Sequence, residues 1–448
     1  MFRAKKIKVK ALQTLLTDCK NRRENLLSRM GEGVAIIPTS PEVIRNRDSH
    51  YPYRFDSYFY YLTGFKEPES VLFLIAGSSP KSILFCRDKD MEREIWDGFR
   101  YGPEAAVKEF GVDEAYSIKE LETLAPKLLG NQENLFFSLG ADAAWDQRVL
   151  GWLNQLRESA RAGVGAPQNI VDVRQLIDEM RLVKSAYELD SMRCSAQIAA
   201  AAHNRAMQKV KPTKMEYEIE AEFLHEFYRK GAQSPAYTSI VAGGANACTL
   251  HYNANNCVLN DGDLLLIDAG CELDGYASDI TRTFPINGKF SAVQKDVYEF
   301  VLAAQYAAIE KANTNNNWNA PHEAALDVLV QGLIDFGLCQ GGKDEVLENA
   351  TYRQFYMHRT GHWLGLDVHD AGEYKNKTGD WKMLQPGNVL TVEPGCYIRP
   401  ADNVPEYFWN IGIRIEDDVL VTETGSEILT KDAVKTVADI EALMKNSL

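Results

Sequence analysis

Two short segments of the chain have the same pattern. Asp261-Gly-Asp-Leu-Leu-Leu-Ile-Asp-Ala-Gly270 and Pro386-Gly-Asn-Val-Leu-Thr-Val-Glu-Pro-Gly395 each hold a Gly turn, a short apolar strand, an acid and a closing Gly two residues later. The stretches before them also match. Ser185-Ala-Tyr-Glu188 is a capping box opening a helix to about Val210, and Thr213-Lys-Met-Glu216 reads as a second, opening a helix that stops at Gly231. Strand-like segments then run to about Ile286. The order recurs: Ser291-Ala-Val-Gln294 caps a helix to about Ala312, a further helix spans 321–337, and strands follow again. A duplicated helix-helix-sheet unit is expected. Closed about a pseudo-twofold axis, it brings one carboxylate per half together, Asp268 and Glu393.

The first third reads differently. Apolar runs at 34–37, 71–75, 82–85 and 135–139 predict strands, alternating with helices at 103–110 and 118–129. That alternation predicts an α/β domain. A Gly- and Ala-rich loop at 160–167 places the boundary near 173, giving domains 1–173 and 174–448. The overall class is α/β followed by α+β. A length of 448 residues suits two or three domains.

Charge and composition exclude several roles. The balance of 49 basic against 63 acidic residues gives −14, which disfavours a nucleic-acid binder. No apolar run approaches the ~18 residues of a bilayer span, so no membrane partner is expected. Arg3, Lys5, Lys6, Lys8 and Lys10 make a basic start without an apolar core, read as an exposed helix start rather than a secretory signal or transit peptide. The eight cysteines contain no Cys-x-x-Cys pair and read as reduced thiols, which predicts a cytoplasmic protein.

The chemistry is concentrated at strand ends. An acid ending an apolar strand is costly unless paired or bound to a cation. Asp268, Asp279, Glu393 and Glu416 all stand in such places, beside His358-Arg-Thr-Gly-His-Trp-Leu-Gly-Leu-Asp-Val-His-Asp370. Four carboxylates with one imidazole make an oxygen-rich site suited to two divalent ions, Mn²⁺ or Co²⁺ ahead of a thiolate-type zinc centre. Such a pair can hold a bridging hydroxide and clamp a scissile carbonyl. The spare histidines and Arg414 then serve the oxyanion and the leaving nitrogen.

The His-x-x-Gly-His-x-Leu-Gly-x-x-Val-His-Asp run, with the Asp268/Asp279 and Glu393/Glu416 blocks, resembles the proline-peptidase and methionine-aminopeptidase superfamily. Within it, the bacterial-type aminopeptidase P family is the nearest match, through Arg45-Asn-Arg-Asp-Ser-His-Tyr-Pro-Tyr-Arg54, Tyr61-Leu-Thr-Gly-Phe-Lys-Glu-Pro-Glu69, Ile95-Trp96 and Gly412-Ile-Arg-Ile-Glu-Asp-Asp418. The resemblance implies a C-terminal pita-bread domain and two divalent ions per subunit, Mn²⁺ foremost. It implies Asp268, Asp279, His362, Glu393 and Glu416 as ligands, with Asp279 and Glu416 bridging and Glu393 also moving the proton. It assigns His251, His358, His369 and Arg414 to catalysis and Tyr397 to substrate contact. Asp48 and Trp96 would approach a neighbouring subunit's site within a dimer or tetramer. The expected reaction is release of the N-terminal residue from peptides with proline second. Prolidase is the runner-up; methionine aminopeptidase lacks an N-terminal domain of this size, and a non-catalytic pita-bread module would have lost the ligands. Arg359-Thr360 departs from the smaller or apolar residues that many members carry there.

Four histidines (His50, His203, His225, His322) lie outside the motifs and read as ordinary surface or core residues, as do Trp363 and Leu364. Cys271, close to Asp268, reads as a small buried thiol.

Overall fold

The structure is a computed structural model that describes residues 2–445, with side chains from residue 12 onward. The basic side chains at 3–10 lie outside the described residues. The chain divides between Met180 and Arg181 into two compact units.

In the first unit, six strands form one sheet, in the order Glu114–Ser117, Lys81–Cys86, Val71–Ala76, Gly33–Pro38, Asn134–Phe136, Asn169–Val171. Gly33–Pro38 runs antiparallel to Val71–Ala76 and parallel to Asn134–Phe136. The central strands are buried along almost their whole length, which is why they read as continuous apolar runs. Helices Leu121–Leu129 and Ala143–Glu158 cover one face through Leu121, Ala125, Trp152 and Leu156. Helix Phe2–Met30 contacts helix Ser57–Thr63, and its buried Arg22 and Arg23 donate to the Tyr61 and Leu62 carbonyls at 3.1 and 2.8 Å. Those carbonyls belong to the last turn of the short helix, where a helix lacks its own donors.

The second unit repeats itself. Helices Ala186–Lys209 and Glu216–Lys230 precede the first set of strands; Ala292–Lys311 and Ala320–Asp335 precede the second. Leu264–Asp268 lies between Ile240–Gly243 and Thr281–Pro285, and Val389–Val392 pairs with Asp417–Thr422, all antiparallel. The glycines of the repeat do the same work in each half. Gly262 and Gly387 turn with φ +86° and +91°, a region that glycine enters without a Cβ clash. A Cβ on Gly270 would fall 1.6 Å from the Ser278 carbonyl oxygen, and one on Gly395 2.8 Å from that of Ile413.

The boxes at Ser185 and Ser291 form as expected. The one at Thr213 does not. Thr213 takes a positive φ of 74°, the helix starts at Glu216, and the Glu218 carboxylate accepts from the Met215 N–H at 2.8 Å. Glu216 instead anchors a loop: its buried carboxylate accepts from Gly243 N, Asn246 Nδ2, Tyr252 OH and Cys257 N. Among the described residues, four donors and no counter-charge hold this carboxylate, and they fix the segment that carries His251. The second helix of the second half ends at Asp335, and Gly337 completes the turn at φ +70°.

Among the described residues, no helix is long and apolar enough to cross a membrane. All eight cysteines are free, with Cys194 and Cys257 exposed and the others, including Cys271, buried.

Candidate active site

Each acid is set by a strand. Asp268 closes Leu264–Asp268, in register between Ile240 and Thr281. Asp279 stands two residues before Thr281–Pro285, Glu393 directly follows Val389–Val392, and Glu416 directly precedes Asp417–Thr422. The histidine segment lies alongside the second-half strand. Thr391 N donates to the His362 carbonyl at 2.9 Å, and Glu393 N to that of Thr360 at 2.8 Å. All four acids, His251, His358, His362, His369 and Arg414 line one cavity of about 470 Å³. Tyr397 is fully buried behind it, reaching His358 Nε2 at 2.9 Å and Arg414 Nη1 at 3.0 Å.

Hydrogen bonds fix the ring orientations. His362 donates from Nδ1 to the Trp363 carbonyl at 2.9 Å, which leaves Nε2 facing Asp279 Oδ2 at 3.4 Å and Glu393 Oε1 at 3.8 Å. His358 donates from Nδ1 to the Arg359 carbonyl and accepts the Tyr397 hydroxyl at Nε2. Burial, with Arg414 nearby, pushes its pKa down to about 3, so this imidazole is neutral at working pH. Burial and the neighbouring His362 also lower His369.

The carboxylates are crowded and underneutralised. Burial raises Glu393 to about 7 against the pull of His362 and Arg414. Burial and the Asp279 charge push Glu416 well above the usual carboxylate range. Burial raises Asp268, although Arg414 Nη2 donates to its Oδ2 at 2.6 Å. His362, desolvated but facing Asp279 and Glu393, rises to about 9. Burial and mutual repulsion thus oppose ionisation of Glu393, Glu416 and Asp268, a cost that a bound cation would relieve. Asp279, His362 and Glu416 present ligand atoms all within 4.8 Å of one another. Oxygen donors in this number, with one imidazole, fit hard divalent ions.

Four contributors escaped the sequence reading. The Tyr237 hydroxyl lies 2.6 Å from Asp268 Oδ1 and also meets Asp279 Oδ1. Thr281 donates to Glu416 Oε2 at 2.6 Å. Buried Arg282 donates to the Glu416 carbonyl at 2.5 Å and to Asp417 Oδ1 at 2.7 Å. Asp418 accepts from the Asp279 N–H at 3.2 Å. Only Asp418 left a signal: strand alternation puts 416 and 418 on one face and 417 on the other. Two of the histidines outside the motifs lie close by. His203 Nε2 donates to the Ala269 carbonyl at 2.9 Å, and His322 Nδ1 meets the Thr360 hydroxyl at 2.8 Å.

Asp48 and Trp96 belong to the first unit. Asp48 is exposed at the turn between Ile44–Asn46 and Ser49–His50, and Trp96 is 82% exposed on helix Met91–Asp97. That exposure excludes a core role for Trp96.

The chain matches the model of metallopeptidase family M24 over residues 190–423 and that of the aminopeptidase P N-terminal domain over 19–136. It is 44% identical to the Xaa-Pro aminopeptidase of Escherichia coli K12 over 95% of this chain and 97% of that one. It is 35% identical to human Xaa-Pro aminopeptidase 3 over 91% of this chain and 80% of that one. Among solved structures, aminopeptidase PepP of Pseudomonas aeruginosa superposes with a TM-score of 0.94 at 48% identity, over 96% of this chain and 98% of that one. A zinc-substituted E. coli aminopeptidase P in complex with product gives 0.94 at 43%, over 97% and 99%. With the strand-end carboxylates and His362 gathered in one cavity, and with both of its parts matched, the chain belongs to metallopeptidase family M24 and carries the aminopeptidase P N-terminal domain.

Proposed function

We propose that this chain is a metallo-aminopeptidase that releases the N-terminal residue from peptides whose second residue is proline. The observation that carries the reading is the convergence of four strand-end carboxylates and His362 on one cavity, with ligand atoms of Asp279, His362 and Glu416 within 4.8 Å of one another. Asp268, Asp279, His362, Glu393 and Glu416 would hold two divalent ions. Of these, Asp279, His362 and Glu416 present ligand atoms within 4.8 Å of one another and would form the heart of the site. Such ions acidify a water and polarise the scissile carbonyl.

The remaining work falls to side chains. Glu393 lines the cavity and is placed to take a proton at its carboxylate and return it to the proline nitrogen. Arg414 fixes Asp268 and, through Tyr397, the neutral His358. His251 and His369 border the same cavity and offer imidazole donors to the developing oxyanion. The carboxylate-rich wall also suits the substrate's free ammonium group. Proline lacks an N–H, so a site that draws its hold from amine and carbonyl loses nothing at this bond.

We assign Mn²⁺ as the working metal on the hardness of the donor set, and a cytoplasmic location on eight free thiols. A homo-oligomer, most simply a tetramer, is supported by helix Met91–Asp97, which buries none of its residues and leaves Ile95 and Trp96 more than 80% exposed. In that assembly Asp48 and Trp96 would border a neighbouring subunit's site. The Xaa-Pro aminopeptidase relatives favour this reading over prolidase.

The test compares a tripeptide and a dipeptide, each with proline second, with and without Mn²⁺. Metal-dependent cleavage of the tripeptide is expected; cleavage of the dipeptide alone would make the chain a prolidase. Sedimentation at assay concentration tests the assembly, and a fully active monomer would refute it.

A further inference from the structure

Arg359 stands between His358 and His362, and its side chain lines the cavity. The other cationic wall residue is already committed: Arg414 is 4% exposed and bonded to Asp268 at 2.6 Å. His358 is neutral and His362 faces Asp279 and Glu393. Arg359 differs. Among the described residues it has no carboxylate within ion-pair distance, and it is exposed.

Its anchors are both neutral. Nη2 donates to the Asn319 side-chain oxygen, and the guanidinium lies 4.9 Å from the centre of the Trp381 ring. Lys375 Nζ lies 4.4 Å from the same ring, so two positive charges gather on one indole. These contacts orient the guanidinium without cancelling its charge. Most of its five N–H donors remain for a ligand in the fork geometry that suits a carboxylate. A cavity with a carboxylate cluster at its metal site and an unneutralised guanidinium on its wall is polarised. A zwitterionic or acidic peptide fits it in one direction only.

We propose that Arg359 is a specificity residue that binds a carboxylate on the peptide beyond the proline. The carboxylate is either the free C-terminus of a short peptide or an acidic side chain at the third position. The proposal rests on the Xaa-Pro aminopeptidase reading and adds to it a preference for negative charge downstream of the cleaved bond. The contact is exposed, so its effect is moderate and falls with salt.

The experiment measures kcat and KM for three peptides on the metal-loaded enzyme and on Arg359→Gln and Arg359→Lys. The peptides are Ala-Pro-Ala with a free C-terminus, its C-terminal amide, and Ala-Pro-Glu amide. The enzyme should favour a carboxylate-bearing peptide over Ala-Pro-Ala amide by about fivefold, through KM, with the preference shrinking at high salt. Arg359→Gln should bring the ratio near one and Arg359→Lys should keep part of it. The free-acid and glutamate arms show which carboxylate source is taken. No preference in the enzyme, or an undiminished one in Arg359→Gln, would overturn the proposal. Cleavage of Ala-Pro-Ala amide by the enzyme establishes the underlying activity separately; no cleavage of any of the three would instead overturn the Xaa-Pro reading and the proposal with it.

Discussion

Arg414 and Asp268 form a buried ion pair across the duplicated core, Nη2 to Oδ2 at 2.6 Å, with one partner supplied by each half. The same guanidinium reaches Tyr397 through Nη1 and Thr281 through Nε, and the Thr281 hydroxyl continues to Glu416. One side chain thus sets two of the proposed ligands and the tyrosine that locks His358. Replacing Arg414 by Met should destabilise the fold by about 3 kcal/mol, because Asp268 loses its buried counter-charge. It should also lower kcat by roughly a hundredfold or more. Calorimetry and steady-state kinetics on the same preparation check both, and an unchanged kcat would remove Arg414 from the mechanism.

Tyr237 touches two proposed ligands with one hydroxyl. Tyr237→Phe keeps the ring and removes only the oxygen. It should cost about 1 kcal/mol of stability and weaken metal binding by about 10–100-fold. Titration of the metal-free variant with Mn²⁺ measures this, and wild-type affinity would show that the contact does not orient the ligands.

Much of the site was legible because duplication and strand alternation are short-range patterns. Asp268 and Glu393 stand at matching places in matching segments, and His362 sits in a dense histidine motif. Tyr237, Thr281 and Arg282 carry no such mark. Their roles come from pairings between distant parts of the chain, such as Arg282 with Asp417, which only the folded sheet creates. Glu216 shows the converse: its spacing from Thr213 matches a capping box, yet the carboxylate is fully buried and satisfied by four donors from the 243–257 loop.

Metal binding should release protons. Glu393, Glu416 and Asp268 all have raised proton affinity in the metal-free chain, and His362 holds its proton to about 9. A cation displaces those protons, so affinity should rise with pH through neutrality. Calorimetric titration with Mn²⁺ at pH 7 in two buffers of different ionisation enthalpy should report roughly one proton or more released per chain. A heat independent of buffer would contradict the carboxylate assignment.

Stability should fall on mild acidification through His203. This ring is fully buried, donates from Nε2 to the Ala269 carbonyl, and among the described residues finds no partner for Nδ1; burial pushes its pKa down to about 3. The folded value lies below the unfolded one near 6.5, so the folded state resists protonation. The contribution is whole above pH 6.5 and is lost as pH falls from there towards 3. Between pH 6.5 and 5 the loss should be about 2 kcal/mol. Denaturant unfolding of the enzyme and of His203→Gln across this range checks it, and parallel pH slopes would exclude His203 as the source.

The central claim is that the cavity hydrolyses Xaa-Pro bonds with two cations held by Asp268, Asp279, His362, Glu393 and Glu416. Its most direct test is the turnover of a free-amine Xaa-Pro tripeptide by chelator-stripped enzyme as Mn²⁺ is added back, with bound metal counted at each step. Activity should be absent from the stripped protein, saturate at two ions per chain, and be absent from the Asp279→Ala protein at every metal level. Sustained turnover by the stripped protein, or by Asp279→Ala, would contradict the account.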